Sequence, residues 1–506
     1  MPGRVFISYR GDDDQGYARA LHKELAPAVV AEQAKADRVS LVACCWILLA
    51  YALASIYAAN YNRGLYADGS YYLVRMAETQ DFLLFDPART TVQIIRQFPV
   101  IMLQHWGDLS LAQLGQVFSL SMLLIPVALC AVCWPILPSG RKSWIFFPIL
   151  HILAGVSASR FAAIAEGAIA ASYFWPLLFL LLFRTRGAAG QLLFLGMLLP
   201  AFCLHETVIL LMTILAVVCV LCLRRKQERG SRIFLMVSTA IIVLIAAHEL
   251  YWIIFPRFAA DRAAYFSSLL GLKFLVSDGR ANLPLITGIL GLAAFIAVAF
   301  MNMRAPARMK WHPMAVSFVF LSFALAATWS ACYSDLGFTP NAQLQARNQA
   351  VFISSIVAAL AVMVTIHKFS ASGWVNAPTM LILAALSVAQ LAWDVAATNR
   401  WRSYINDLRE RLASSVGFIY YEQSFYSGSP ERDINWRLMT AGYAMPTLSI
   451  ALNTGGPVAS LVTAPKNTAW QAFDPSKPDL LPRIRGIEYS PFVIAVTRTK
   501  GDQAMR

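Results

Sequence analysis

The chain has 506 residues, of which 58% are hydrophobic and 14% are charged. A soluble domain carries about 25% charged residues, and a single core could not hide the apolar runs that recur between residues 39 and 394. These values exclude a water-soluble globule and predict a polytopic membrane protein whose main partner is the lipid bilayer. The net charge of +14 does not indicate nucleic-acid binding, because the basic residues lie mainly in short clusters between apolar runs.

The eight cysteines lie in or beside apolar segments, and none follows residue 395. A disulfide framework is therefore not indicated. Cys130 and Cys133 have the spacing of a CxxC motif without a second pair, so we interpret them as helix-packing residues. The first apolar run begins late and is long enough to cross a bilayer, which is not the pattern of a cleavable signal peptide.

Residues 1–38 form a predicted cytoplasmic leader. Within it, residues 5–10 read Val-Phe-Ile-Ser-Tyr-Arg, and an acidic run, Asp12–Asp14, and Gly16 follow. Over residues 4–26 this pattern resembles the start of a bacterial Toll/interleukin-receptor (TIR) domain: first strand, acidic loop and first helix. The first membrane span begins near residue 39, which leaves no room for the other strands or for the family's catalytic glutamate. We therefore expect a leader without enzymatic activity.

Membrane-crossing helices need about 20 mostly apolar residues. The sequence predicts eleven of them, at residues 39–59, 113–136, 143–159, 162–183, 189–204, 206–223, 233–255, 283–302, 314–333, 349–366 and 376–394. With eleven spans, every short basic connection lies on the same side as the basic leader. This distribution predicts a multi-pass protein of the bacterial inner membrane, with its N-terminus in the cytoplasm and its C-terminus outside.

Four segments would then lie outside: residues 60–112, 256–282, 334–348 and 395–506. The last has ordinary polarity and is long enough for a small domain. Its stretch from Trp401 to Leu412 predicts an amphipathic helix, and the runs Pro457–Thr463 and Pro491–Thr497 predict strands. The predicted fold is therefore an α-helical transmembrane domain over residues 39–394, followed by a small α/β extracytoplasmic domain.

Ionisable side chains near the spans lie toward the predicted outer side: Glu166, His205, Glu206, His248, Glu249, Asp335, Arg347 and Asp394. Such groups are costly in a bilayer and often mark function, so we expect a polar cavity open to the outside. Asp394 has a simpler interpretation as a helix cap or the partner of an arginine. Glu166 either lines the cavity or supports close packing beside Gly167 and Ala168. The two His-Glu pairs do not extend to a His-Glu-x-x-His motif, so no metal site is predicted.

The first outer loop, residues 60–112, carries the richest pattern. Asp68 follows the first span closely, and the stretch 69–80 predicts a helix with Tyr72, Met76 and Thr79 on one face. The segment from Val92 to Trp106 is also amphipathic and predicts a helix lying on the outer membrane surface. Its apolar residues are Ile94, Ile95, Phe98, Ile101 and Met102.

This arrangement resembles the GT-C superfamily of membrane glycosyltransferases over about residues 39–506. The resemblance rests on the many spans, the first outer loop with its helices, the outer C-terminal region, and Asp68 with the tyrosines after it. It implies a sugar donor on a polyprenyl phosphate in the outer leaflet and an acceptor that arrives from outside. Gly69 stands where the family often has a second acid, so the resemblance assigns no metal or other cofactor.

On this resemblance Asp68 would be the base that deprotonates the acceptor, and Arg347 would neutralise the leaving phosphate. Glu166, His205, Glu206 and Tyr72 would line the substrate cavity. Two other classes stay open: a transporter or flippase of a polar or lipid-linked solute, and a membrane-anchored TIR-type signalling protein. The long outer loop and the lack of an evident inverted repeat argue against transport. The sugar, the acceptor and the oligomeric state are not indicated by the sequence.

Overall fold

The computed structural model describes residues 41–139, 141–156, 166–185, 187–225, 229–256, 377–420, 442–453, 457–463 and 481–504, with a few shorter pieces. The described chain is mostly helical, with a few strands. The TIR-like leader lies outside the described residues, as do Asp335, Arg347 and the predicted spans 283–302 and 314–333.

By length and composition, four of the described helices can cross a membrane. They are α1 (Leu41–Asn60), α4 (Leu111–Ile136), α6 (Glu166–Phe183) and α9 (Arg229–Ile254). These four coincide with predicted spans and indicate a membrane protein. Three shorter helices, α5 (Phe146–His151), α7 (Ala188–Leu198) and α8 (Ile209–Arg225), lie within or overlap three more predicted spans. The total of eleven spans stays a prediction.

The side-chain pattern of these helices fits a bundle in lipid. Helix α6 is buried almost all round, so it lies inside the bundle. Helix α1 instead exposes large apolar side chains along its length, including Trp46 at 57% and Leu53 at 57%. A helix that is apolar on its inner and outer faces is typical of a membrane span.

The first long loop folds into two helices, as the sequence predicts. They are α2 (Asp68–Thr79) and α3 (Thr90–Trp106). In α2, Tyr72 and Met76 are buried, whereas Thr79, the last residue of the helix, is exposed.

Helix α3 buries a polar face and exposes large apolar side chains, which is the reverse of a surface helix in a soluble protein. Its polar residues Gln93, Arg96 and Gln97 are fully buried, while Phe98 and Trp106 are 51% and 80% exposed. Among the predicted apolar set, Ile101 is buried and is the exception. A helix with its apolar side outward is unfavourable in water and suits contact with a bilayer surface.

The C-terminal part of the described chain begins with α10 (Ala377–Ser414), which is 38 residues long. It joins the predicted last span and the predicted amphipathic helix into one helix. Strand β3 (Gly417–Tyr420) pairs in parallel with β4 (Ser460–Thr463). Strand β4 lies within the strand predicted at residues 457–463, whereas β3 was not predicted. A short antiparallel pair, β1 (Val276–Ser277) and β2 (Arg280–Ala281), precedes them in the chain.

Two further helices lie between and after these strands, α11 (Met445–Ala451) and α12 (Ser490–Ala504). The predicted strand at residues 491–497 is therefore wrong. Pro491 fits the first turn of a helix, and Phe492 and Val496, one turn apart, are both buried on the same face. Helical packing thus overrides the β-propensity of the Val and Ile residues in this run.

The C-terminal segments share one hydrophobic core with the first long loop. Leu73 of α2 and Phe118 of α4 belong to the same buried cluster as Trp401, Leu448 and Phe492. A second cluster joins the membrane-type helices α1, α4, α6, α8 and α9. The loop that carries Asp68 therefore lies between the helical bundle and the C-terminal segments.

Candidate functional site

Asp68 is the first residue of α2 and is half-buried. A carboxylate is favourable at a helix N-terminus, where the backbone N–H groups create a positive field. Ala67, directly before it, has φ 50° and ψ −123°, a conformation that residues with a Cβ rarely adopt. The surrounding packing must hold this strained turn, and the turn sets the direction in which Asp68 leaves the backbone.

The C-terminal segments reach Asp68 directly. The Tyr443 hydroxyl donates a hydrogen bond to Asp68 Oδ1 at 2.8 Å. Two residues further along α2, Ser70 Oγ lies 3.0 Å from Thr447 Oγ1 and donates to the carbonyl of Ala67 at 3.1 Å. Residues 443–447 therefore hold the start of α2 in place. Asp68 thus belongs to a site built by the first long loop and by residues 443–447.

A buried arginine–carboxylate cluster, formed by Arg89, Arg96, Glu166 and Glu206, ties the first long loop to the helical bundle. Arg89 Nε donates to Glu206 Oε2 at 2.9 Å, its Nη2 contacts Glu206 Oε1, and its Nη1 donates to Glu166 Oε2 at 3.2 Å. Arg96 Nη2 lies 3.2 Å from Glu166 Oε1, with both side chains fully buried. Two guanidinium groups thus face two carboxylates, which balances the buried charge.

Tyr72 connects this cluster to the helix that carries Asp68. The Arg96 guanidinium lies 4.0 Å from the centre of the Tyr72 ring, a cation–π contact, and Gln93 Nε2 donates to the Tyr72 hydroxyl at 3.4 Å. Burial, followed by the Glu166 charge, raises the pKa of Tyr72 to about 12, against the opposing effect of Arg96. The hydroxyl is therefore protonated at neutral pH and can donate a hydrogen bond.

Further ionisable groups lie around the turn between α7 and α8. His205 Nδ1 is 3.6 Å from Glu206 Oε2, and Asp86 Oδ2 is 3.4 Å from Arg89 Nε. Burial raises the pKa of Asp86, and Arg89 opposes that rise. Cys203 in this turn has φ 57°, and its carbonyl accepts a hydrogen bond from the Thr91 amide at 2.9 Å, which anchors the start of α3 to the turn.

The two His-Glu pairs differ in their surroundings. Glu249 is fully buried in α9, 3.8 Å from His248 Nδ1, and Trp252 Nε1 donates to His248 Nε2 at 3.1 Å. His248 Nε2 is thus the acceptor of the Trp252 indole N–H. Across the described ranges, no group of three or more His, Cys, Asp or Glu side chains is arranged to hold a metal ion.

A second buried ion pair connects the turn after α1 to α10. Arg63 Nη2 lies 2.7 Å from Asp394 Oδ1, and Arg63 Nη1 donates to Thr398 Oγ1 at 2.8 Å. The interpretation of Asp394 as the partner of an arginine is confirmed, although Asp394 lies within a continuous helix and not at its end.

Two predicted cavity residues that are 40 positions apart in sequence, Glu166 and Glu206, meet through Arg89, and the third, His205, lies beside Glu206. Tyr72 lies beside them, and Asp68 is close enough to Tyr72 to affect its pKa. Sequence reasoning assigned no role to Arg89, Arg96, Arg63 or Tyr443. Arg96 had a signal, because Gln93, Arg96 and Gln97 form a polar stripe at helical spacing on an otherwise apolar helix. We find no such signal for Tyr443.

No protein-family model matches this chain, and no similar curated protein or solved structure was found.

Proposed function

We propose that the protein is an integral membrane glycosyltransferase that transfers a sugar from a polyprenyl-phosphate donor to an acceptor on the extracytoplasmic side. The observation that supports this most is the placement of Asp68. It begins the first helix after α1 and is held by Tyr443 where the first long loop meets the C-terminal segments. A half-buried carboxylate at such a boundary suits a base that needs both an acceptor and a route for its proton.

In this proposal Asp68 accepts the proton of the acceptor hydroxyl as its oxygen attacks the anomeric carbon of the sugar. The bond from that carbon to the phosphate oxygen breaks, and the polyprenyl phosphate leaves with the electron pair. Arg347 is our candidate for neutralising the leaving phosphate, since a guanidinium group can hold two phosphate oxygens. Arg89 and Arg96 are weaker candidates, because the carboxylates of Glu166 and Glu206 already face them.

We assign the arginine–carboxylate cluster a supporting role in the same proposal. It holds α3 against α6 and places Arg96 under the Tyr72 ring. Glu166, His205 and Glu206 would then shape the wall of the cavity, with Tyr72 as the wall residue nearest to Asp68. In this proposal Glu166 both lines the cavity and supports helix packing, which are the two roles that the sequence leaves open for it.

The test replaces Asp68 with asparagine, which keeps size and hydrogen bonding but cannot accept the proton. We expect Asp68→Asn to reduce sugar transfer about 10²–10⁴-fold, the usual contribution of general base catalysis. The measurement uses the purified chain in liposomes with a panel of radiolabelled polyprenyl-phosphate sugars. Asp81→Asn is the matched control, because Asp81 is an exposed aspartate just beyond the other end of α2. Undiminished transfer by Asp68→Asn would remove Asp68 from the mechanism.

A transporter of a polar or lipid-linked solute is the second candidate. The buried charges of Arg89, Arg96, Glu166 and Glu206 favour it, because ion pairs inside a helical bundle also occur along solute pathways. Liposomes that contain the wild-type chain distinguish the two functions. Movement of a solute without transfer from any donor of the panel would replace the glycosyltransferase proposal.

A further inference from the structure

Glu249 of α9 is a buried acid that no arginine or lysine contacts within the described part of the chain. Its side chain is fully buried, and neither carboxyl oxygen has a hydrogen bond to another described side chain. His248 Nδ1 lies 3.8 Å away, beyond hydrogen-bond distance, and His248 Nε2 accepts from Trp252. The proposed sugar transfer assigns no role to Glu249.

The neighbouring acids differ from Glu249, because each lies within 3.4 Å of a guanidinium nitrogen of Arg89 or Arg96: Asp86, Glu166 and Glu206. Glu249 lies within electrostatic range of Glu206 and Asp86. An ionised Glu249 would therefore be a fourth negative charge beside two arginines.

These surroundings favour the uncharged form of the Glu249 side chain. Moving an ionised carboxylate out of water costs much more free energy than moving a carboxylic acid, unless a cation compensates the charge. The backbone amides of Cys203 and Leu204 face Glu249 and oppose this effect, but an amide carries no full charge.

The ionisable groups at or beside the contact between Glu249 and the turn that joins α7 to α8 come from three elements: His248 of α9, Cys203, His205 and Glu206 of the turn, and Asp86 and Arg89 of the first long loop. Helices α7 and α8 also pack against α9 and carry no Asp, Glu, His or Lys. Glu249 is thus the acid of this group that lacks a guanidinium partner.

The same turn anchors the start of α3. Cys203 Sγ lies 3.9 Å from His248 Nε2 of α9. The Cys203 carbonyl accepts from the Thr91 amide at 2.9 Å, and the Phe202 carbonyl accepts from Thr91 Oγ1 at 2.7 Å. The turn therefore connects α9 to the first long loop.

We propose that Glu249 is a proton-controlled switch for this connection. With its proton bound, Glu249 packs against the turn as a neutral acid. Release of the proton to solvent places a negative charge near Glu206, and the repulsion loosens the turn from α9 and weakens the hydrogen bond from Thr91 to Cys203. The first long loop is then held less firmly at high pH than at low pH. This inference does not depend on sugar transfer.

The test measures amide hydrogen exchange of the purified full-length chain in detergent at about pH 6 and about pH 9, with the intrinsic exchange rate at each pH divided out. For the wild type we expect protection of peptides that contain Thr91 or residues 202–206 to fall at least about fivefold at the higher pH. An opening linked to the loss of one proton changes by up to about tenfold per pH unit, so this effect is within reach.

Glu249→Gln keeps the shape of the neutral acid and cannot ionise. Its protection at about pH 9 should stay within about twofold of that at about pH 6, because no charge develops. Glu249→Asp, which can still lose a proton, should lose protection at the higher pH. Glu410→Gln is the matched control, since Glu410 is an exposed acid of α10, and it should behave as the wild type does.

Three results would overturn the proposal. The first is wild-type protection that is equal at both pH values, which needs no variant and decides even if Glu249→Gln does not fold. The second is a loss of protection in Glu249→Gln as large as in the wild type, because another group would then be titrating. The third is an equal loss in peptides of α11, which would mean general unfolding.

Discussion

The Tyr443 hydroxyl donates to Asp68 Oδ1 at 2.8 Å and thereby holds this carboxylate oxygen in place. If Asp68 is the base, Tyr443→Phe should lower the turnover number about tenfold, which corresponds to one lost hydrogen bond to a charged group. Transfer rates measured with the donor KM determined separately check this effect.

Tyr61→Phe provides the control for this measurement. Tyr61 contacts Arg402 and Tyr57 through its ring, and its hydroxyl has no hydrogen bond to another described residue. Loss of the Tyr61 hydroxyl should leave the turnover number within about twofold of wild type, because no hydrogen bond to Asp68 is removed. A wild-type turnover number for Tyr443→Phe would mean that this hydrogen bond does not position Asp68 for the reaction.

Glu166 allows a second test at the level of one side chain. It faces Arg89 and Arg96 at 3.2 Å each, and it is fully buried. Glu166→Gln should lower stability by about 3–5 kcal/mol, because it removes the charged carboxylate that faces the fully buried Arg96. The measurement is thermal unfolding of the purified variant in detergent.

The exposed pair Arg75–Glu78 is the matched comparison for Glu166. Glu78→Gln should cost less than about 1 kcal/mol, since water and salt screen a surface pair. Equal losses of stability in Glu166→Gln and Glu78→Gln would show that burial does not strengthen the ion pairs around Glu166.

Between elements, the ion pair of Arg63 and Asp394 links the turn after α1 to α10. Both side chains are at most 2% exposed. Asp394→Asn should destabilise the protein by about 3–5 kcal/mol, and Arg63→Met should act similarly. The double variant Arg63→Met/Asp394→Asn should be destabilised by clearly less than the sum of the two single losses, because neither charge is left alone. Unfolding midpoints of the four proteins test this, and additive losses would contradict direct coupling.

The elements of the first long loop were predictable because their periodicity is local. Helices α2 and α3 follow the 3.6-residue pattern of their buried and exposed residues. The prediction of a strand at residues 491–497 is wrong because Val and Ile fit either a strand or a buried helix face. Packing against β3 stabilises the helix. Likewise, no local pattern shows that α10 continues through Asp394, since Arg63 compensates that charge from another part of the chain.

The candidate site was predictable only in part. The sequence predicts that Glu166, His205 and Glu206 lie toward one side of the membrane, because hydropathy and basic loops indicate depth and orientation. It does not show which partner each charge meets. Glu206 and Arg89 are separated by 117 positions and Asp68 and Tyr443 by 375, so their contacts follow from tertiary packing.

For the whole molecule, the distribution of basic loops makes a prediction about topology. A reporter fused after residue 228 follows the cluster Arg224–Lys226 and should lie in the cytoplasm, whereas a fusion after residue 420 should lie outside. Paired alkaline phosphatase and fluorescent-protein fusions measure the two sides in opposite ways. If both positions report the same side, the predicted number of spans between them is wrong. The predicted placement of Asp68 on the outer side would then also be in conflict with its contact to Tyr443.

The shared core of the first long loop and the C-terminal segments has a consequence for biosynthesis. A ribosome that adds 5–20 residues per second reaches Tyr443 roughly 20–75 s after Asp68. During this interval Leu73 and Phe118 lack their partners Leu448 and Phe492. The site around Asp68 is thus completed only after residues 443–447 have been synthesised, and a chain that stops before residue 442 would insert its early helices without ever assembling that site.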